Sequence, residues 1–346
     1  MKAKLVRQDY LVPLGPVDFG VAMPSIIESA DGDLVAVWYA GSINPQSYDP
    51  HNADSSVYYA RLEKGAAHWT APEVLDQSPE LVHASTAAMR DNAGRIWALY
   101  KFRTLEGTWN DSGSGLAARR SSDGGRTWTP EQIIDLQPQG RVATNGLALP
   151  NGDLLLPVTM EMTDRYFGEC SVFISEDGGE TWSRYGEIKA DDGTLLREPS
   201  IFIRGDGVIQ MYMRSCGPGR EWSYFPPDKP GRMWESHSND NGRTWSKARR
   251  TTLPNNESTV DALELPSGTQ IVCYNNTTNP DWQARWPLNL AYSTDRGETW
   301  EDFAVVHPGP GYICHPSVIL GSDERLHVVH TCNYPTVRYA CYELEE

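Results

Sequence analysis

Groups able to bind anions and move protons crowd into a few short stretches of this 346-residue chain. Arg197, Glu198 and Arg214 put two guanidiniums and a carboxylate into one otherwise apolar region. An arginine pair of this kind neutralises a carboxylate, and an adjacent acid, imidazole or phenol can carry a proton. His83 and His315 stand near the starts of apolar strands, and Lys101 ends another. A lone histidine is more often a structural hydrogen-bonder, so these two enter as candidates only. Trp38, Tyr39, Trp109, Trp222, Tyr224, Trp282 and Trp286 could stack on sugar rings, although most such aromatics pack between sheets. Histidines and acidic residues do not cluster at metal-ligand spacing, and no phosphate-binding glycine loop precedes a helix. The chemistry is therefore read with no metal and no cofactor.

Those side chains need a scaffold, and the scaffold is written as a repeat. SSDGGRTW at 121–128, SEDGGETW at 175–182, SNDNGRTW at 238–245 and STDRGETW at 293–300 share the pattern Ser-x-Asp-x-Gly-x-Thr-Trp, the Asp box. In a hairpin turn the Asp carboxylate accepts backbone N–H groups, Gly supplies a positive φ, and Thr-Trp opens the next strand. Upstream of each box runs an apolar strand, a turn rich in Gly and a second apolar strand. Six such units begin at Pro24, Thr86, Thr144, Pro199, Val260 and Pro316. The first unit has a decayed box over 63–69 and the last has none. The fold class predicted is all-β: one six-bladed β-propeller domain over 1–346, with four-stranded antiparallel blades. The last unit lacks a fourth strand, which the N-terminal segment from Leu5 to Val12 is predicted to supply.

In such a ring the Asp boxes occupy one face and the long loops between second and third strands occupy the other. These loops cover 40–54, 102–113, 161–169, 215–231, 276–286 and 332–336. The residues just after the six second strands are Tyr39, Lys101, Thr159, Arg214, Asn275 and Thr331, all able to hydrogen-bond. Those preceding the first strands are Met23, Ser85, Ala143, Glu198, Thr259 and His315. Both sets should circle the mouth of a central channel, with the charge concentrated in blade 4.

Across nearly its whole length the chain resembles the sialidases and their BNR-repeat relatives, nearest to a divergent "predicted neuraminidase" branch. That resemblance implies a carboxylate clamp of three arginines, a Tyr nucleophile paired with a Glu, and an Asp acid on a loop. Glu198 and Arg214 match the family's Glu and second arginine in place and spacing. Arg285 is similar to the third arginine, and Tyr312 sits where the nucleophile is expected. Asp49 and Asp54 both fit the acid. Where sialidases read Arg-Ile-Pro, however, this chain reads Ala22-Met23-Pro24, so the first clamp arginine is absent. A lost charge-assisted bond of about 1.5–3 kcal/mol corresponds to about one to two orders of magnitude in affinity. Lys101, Arg141 and Arg197 are the candidate replacements.

The resemblance implies an exo-acting glycoside hydrolase that releases a terminal acidic sugar. An arginine pair with His315 or His83 also suits a lyase or a rhamnosyl-uronate-type glycosidase acting beside a uronate. A non-catalytic propeller that binds glycan or protein is the third alternative. A formal charge of −16 argues against non-specific nucleic-acid binding and against docking on anionic lipid. No apolar run approaches membrane-spanning length. The N-terminal residues show no signal-peptide pattern, and the six cysteines form no CxxC pair, which reads as buried thiols in a cytoplasmic protein. Composition leaves the oligomeric state open.

Overall fold

The computed structural model describes the chain apart from residues 13–18, 44–51, 108–113, 135–139, 161–167, 218–224, 226–228, 280, 282, 334 and 346. Six antiparallel sheets form the ring. Blade 1 comprises Phe19–Glu28, Leu34–Ser42, Ser56–Leu62 and Glu73–Asp76. Blade 2 comprises Leu81–Arg90, Ile96–Thr104, Ser114–Ser121 and Gln132–Ile134. In blade 3 the innermost strand is split into Gly140–Arg141 and Leu147–Ala148, both paired with Leu154–Met160. Cys170–Ser175 and Ser183–Ile188 complete that sheet. Blade 4 runs Leu195–Ile203, Ile209–Cys216, Arg232–Ser238 and Arg249–Pro254, and blade 5 runs Asp261–Glu264, Gln270–Asn275, Leu288–Ser293 and Glu301–His307. Blade 6 takes Ile313–Leu320, Arg325–Cys332 and Thr336–Glu345 from the C-terminal end of the chain.

The fourth strand of blade 6 is Lys2–Tyr10, antiparallel to Thr336–Glu345 from Lys2↔Glu345 to Tyr10↔Arg338. The closure is the one predicted, but the strand starts three residues before Leu5. Polar residues Lys2 and Lys4 join the ladder because an outermost strand needs backbone pairing rather than two apolar faces.

Burial is organised between blades. Separate apolar clusters fill the seams 1–2, 2–3, 3–4, 4–5, 5–6 and 6–1, so every sheet is covered on both faces. The innermost strands also bond directly around the axis. Ser200 donates to Asp261 at 2.6 Å, Val318 N donates to Asp261 at 2.8 Å, and Asn145 of blade 3 donates to the Ile26 carbonyl of blade 1 at 2.9 Å.

The Asp boxes behave as turn chemistry. In the first box, Asp123 Oδ1 accepts Ser121 Oγ at 2.7 Å and the amides of Arg126 and Thr127, while Ser121 Oγ accepts Gly125 N at 2.8 Å. Each box places two consecutive residues at positive φ: Gly124–Gly125, Gly178–Gly179, Asn241–Gly242 and Arg296–Gly297. Box arginines then reach the first turn of the preceding blade: Arg126 to Asp33 at 2.9 Å, Arg243 to Asp153 at 3.1 Å and Arg296 to Asp206 at 3.3 Å. Boxes and first turns therefore share one face, and the candidate site residues lie at the opposite one.

Candidate active site

At that opposite mouth the innermost strands repeat one distortion. Register shifts fall between Ala22 and Ser25, Ala84 and Thr86, Arg197 and Ser200, and Cys314 and Ser317. Inside them Met23, Ser85, Glu198 and His315 have φ of 50, 47, 47 and 51°. A left-handed conformation at a residue with a side chain costs about 1–2 kcal/mol, and such strain collects where a side chain must be aimed. Here it re-aims one residue in each of blades 1, 2, 4 and 6. The strands continue beyond the bulge, so Tyr39, Lys101, Arg214 and Thr331 lie inside the second strands, opposite Ala22, Ala84, Arg197 and Cys314, rather than just after them. The threonines of this ring hold the bulges of the next blade: Glu198 N donates to Thr159 Oγ1 at 2.7 Å and Met23 N to Thr331 Oγ1 at 3.2 Å.

Glu198 is buried, and its carboxylate accepts Arg214 Nη1 at 2.6 Å and the Thr259 hydroxyl. Burial alone would raise its pKa, but Arg214, then Arg141 and Arg197, outweigh that and hold it well below the usual carboxylate range. Arg214 Nη2 reaches Glu257 Oε1 at 3.1 Å, so this guanidinium lies between two carboxylates. Its Nε is buried without a hydrogen-bond partner.

The second half of the site comes from blades 5 and 6. Arg285 and Tyr312 form a parallel bridge, and Arg285 Nη1 donates to Tyr312 Oη at 3.0 Å with the guanidinium 4.8 Å from the ring centroid. Asn275 pins both segments, donating to the carbonyls of Arg285 at 2.9 Å and Ile313 at 2.8 Å. Asn333 Oδ1 accepts Tyr312 N at 2.8 Å. His315 lies 6.0 Å from the Tyr312 ring, edge to face. Burial, reinforced by Arg285, Arg214 and Arg141 against the opposing pull of Glu198, keeps His315 well below the ordinary imidazole pKa, hence neutral at pH 7. Tyr312 packs against a cluster of Ala22, Met23, Tyr39, Ala84 and Ala143, which joins the lips of blades 1, 2 and 3 to blade 6.

Glu198, Arg214, Arg285, Tyr312 and His315 thus meet at one mouth, with Tyr39, Lys101 and Arg197 buried in the strands that frame it. Other candidates lie elsewhere. His83 is fully buried in the 1–2 seam, with Nε2 2.8 Å from Asp76 and Nδ1 2.8 Å from the Ser55 carbonyl. Asp76 also binds Arg119 at 2.6 Å, so His83 is an interblade bridge rather than a sugar contact. Trp38 points the other way from Tyr39, into the 6–1 core, where it stacks on Tyr58. Trp38 is therefore a packing residue. Asp54 is exposed, and its carboxylate accepts the Ser42 amide and hydroxyl, both at 3.0 Å, with none of the apolar surround expected of an acid. Asp49, Trp109, Trp222, Tyr224 and Trp282 lie outside the described residues.

Glu257 was not legible in the sequence. It sits in the polar run Asn255–Asn256–Glu257–Ser258, which is wholly buried, and its Oε1 meets Arg214 Nη2 at 3.1 Å and Cys216 Sγ at 3.3 Å, both from blade 4. Among the described residues no group of three or more His, Cys, Asp or Glu has the arrangement to hold a metal. All six cysteines are buried free thiols.

A six-bladed Asp-box ring with paired arginines, a Glu and a Tyr at one mouth defines a sialidase-like propeller. Residues 32–328 match the model of the BNR repeat-like domain, and the chain belongs to that family. A sialidase of Paraclostridium sordellii is 22% identical over 241 residues, a match spanning 62% of this chain and 56% of that protein's length. Among solved structures, a Dyadobacter fermentans protein of unknown function superposes with a TM-score of 0.78 at 17% identity, covering 99% of both chains. The Hadza microbial sialidase Hz136 gives the same score and identity over 96% of this chain and 68% of its own. The intramolecular trans-sialidase of Ruminococcus gnavus gives 0.69 at 13% identity over 94% of each. At such identities these likenesses establish the fold.

Proposed function

We propose that this protein is an exo-acting, sialidase-like glycoside hydrolase that cleaves a terminal acidic sugar from a glycan. The observation that carries the reading is the convergence of the Glu198–Arg214 and Arg285–Tyr312 pairs, from blades 4, 5 and 6, on one mouth. In this scheme Arg285 and Arg214 orient the sugar carboxylate. Tyr312 Oη bonds to the anomeric carbon as the glycosidic bond breaks, and its proton passes to Glu198. A neutral phenol approaches an anionic sugar without the repulsion that a carboxylate nucleophile would meet. The leaving oxygen takes a proton from an acid on the blade 1 loop; Asp49 is the candidate, since the exposed Asp54 carboxylate is engaged by Ser42. Water then displaces the phenol: the proton of the attacking water returns to the loop acid, and Glu198 gives the phenol back its own. The Arg285 guanidinium at the phenol oxygen favours the negative charge that develops there.

The test is sugar release from sialosides, Kdo-containing glycans and rhamnosyl-uronate glycans. Tyr312→Phe should lose nearly all turnover and retain ligand binding; full activity in that variant rejects the nucleophile. The neutral His315 beside Tyr312 also suits β-elimination at a uronate, since it can accept a proton. That reading is separated by an unsaturated product, which hydrolysis never yields.

A further inference from the structure

Arg214 has a second carboxylate that the proposed reaction leaves without a role. Glu257 lies in the connector between blades 4 and 5, after the strand Arg249–Pro254 and before the strand Asp261–Glu264. Its φ is 67°, a left-handed conformation that Gly or Asn adopts at lower cost, yet the position carries a Glu. Uncharged neighbours already hold this turn. Asn255 Oδ1 accepts Glu257 N at 3.1 Å and Ser215 N at 3.2 Å, and Asn255 Nδ2 donates to the Ser258 carbonyl at 2.7 Å. Asn256 Nδ2 donates to the Ala284 carbonyl at 3.1 Å, which ties the connector to the segment carrying Arg285. Two residues beyond Glu257, the Thr259 hydroxyl donates to Glu198. One short segment therefore touches both halves of the site.

We infer that Glu257 is a positioning residue: by sharing Arg214 with Glu198 it fixes the guanidinium and keeps Glu198 basic enough to take the Tyr312 proton. The inference rests on the hydrolase reading above and adds to it the group that regulates its base. The geometry divides one cation between two anions. Glu198 takes Nη1 at 2.6 Å and Glu257 takes Nη2 at 3.1 Å, so the planar fork is held at two of its nitrogens and its orientation is set. The Cys216 thiol donates to the same Glu257 oxygen at 3.3 Å and fixes the carboxylate in turn. Burial raises the Glu198 pKa, and Arg214 is the first of the cations that bring it down. A second anion on that cation offsets part of its pull, so Glu198 stays a stronger base than a carboxylate alone with a buried arginine. Arg141, His315 and Arg197 are the other charged or titratable groups acting on Glu198, and none of them is bonded to Glu257. A buried carboxylate is a costly filler for a turn, and here its charge is met by Arg214.

The experiment uses the intact protein and 4-methylumbelliferyl glycosides of N-acetylneuraminic acid, Kdo and glucuronic acid. Single-turnover release of methylumbelliferone, with enzyme in excess, reports the attack by Tyr312 apart from the later hydrolysis. On the glycoside that wild type cleaves, Glu257→Gln should lower the saturated rate by about tenfold, because catalysis falls with the strength of the base. The half-saturating concentration should not rise, since Arg214 stays in place and loses only a competing carboxylate. A merely structural Glu257 gives the opposite pattern: a displaced Arg214 weakens binding and rate together. Glu257→Asp keeps the charge on a shorter arm and guards against a failure to fold; its rate should lie between those of wild type and Glu257→Gln, again with no rise in half-saturation. A saturated rate within about twofold of wild type in Glu257→Gln, or a rise in half-saturation as large as the fall in rate, overturns the assignment and leaves the hydrolase reading intact. Cleavage of none of the glycosides by wild type overturns both.

Discussion

Arg214→Met removes the cation that Glu198 and Glu257 share at 2.6 and 3.1 Å, and replaces it with a side chain of similar length. With charge centres about 4 Å apart and an effective dielectric near 20, each ion pair contributes about 4 kcal/mol of attraction. Part of that is offset by the cost of burying the arginine, and breaking one side of a buried pair typically leaves a net loss of about 3–5 kcal/mol. The loss should depend on pH in a defined direction. In wild type, the Glu198 pKa lies well below its ordinary 4.5, so its stabilising contribution is present above pH 4.5 and disappears only as pH falls further. In the variant, burial acts on Glu198 without its largest opposing cation, and its pKa rises above 4.5. Taking up that proton then restores stability as pH falls from neutral towards 4.5. Urea unfolding at pH 8 and pH 5 should therefore show a deficit of about 3–5 kcal/mol at the higher pH and a clearly smaller one at the lower. Adding Glu198→Gln should recover part of the loss at pH 8 and remove much of its pH dependence. A deficit below about 1 kcal/mol, the scale of an exposed ion pair, or one that widens on acidification, would refute the buried, carboxylate-balanced arginine.

Two further predictions concern the frame. Deleting residues 1–12 strips blade 6 of the strand Lys2–Tyr10 and should lower the melting temperature by about 5 °C or more; an unchanged melting curve rejects closure by this strand. Arg296 occupies the turn position that Gly124, Gly178 and Asn241 fill in the other boxes, with φ of 63°. Arg296→Gly should stabilise by about 0.5–1 kcal/mol, since the left-handed strain it relieves exceeds the entropy that Gly costs and the exposed contact with Asp206 contributes little. Calorimetry showing a loss of stability would contradict that balance.

The ring was legible because its turns make demands that few residues meet. Two adjacent left-handed positions and a carboxylate that accepts local amides leave a Ser-x-Asp-x-Gly pattern wherever they occur. Glu198, Arg214, Arg285 and Tyr312 were legible through resemblance and spacing, with 16 and 27 residues separating the members of each pair. Glu257 was hidden because its partner lies 43 residues earlier, in another blade. His83 and Trp38 misled for related reasons. The Asp76 and Ser55 that satisfy His83 belong to the neighbouring sheet. Trp38 and Tyr39 are adjacent, yet one enters the 6–1 core and the other the mouth. That alternation follows from strand geometry, but its parity depends on pairing with an innermost strand whose bulge between Ala22 and Ser25 leaves no mark in composition.

The bulge also explains how the mouth can vary its side chains without losing the fold. At two of the left-handed positions a threonine of the neighbouring blade holds the backbone amide, Thr331 for Met23 and Thr159 for Glu198, independently of the side chain carried there. Met, Ser, Glu and His all occupy the same conformation in four blades. Side-chain identity at these bulge positions is therefore nearly decoupled from the backbone path, while the Asp boxes and interblade cores carry the architecture at the other face and in the seams. Every blade turns its innermost strand to the same axis, so a long side chain can cross between blades, as Arg141 of blade 3 does to Ser85 of blade 2 and Met23 of blade 1. Substrate choice in such a ring would then change by exchanging which blade supplies a charge, with the sheets that hold it left unaltered.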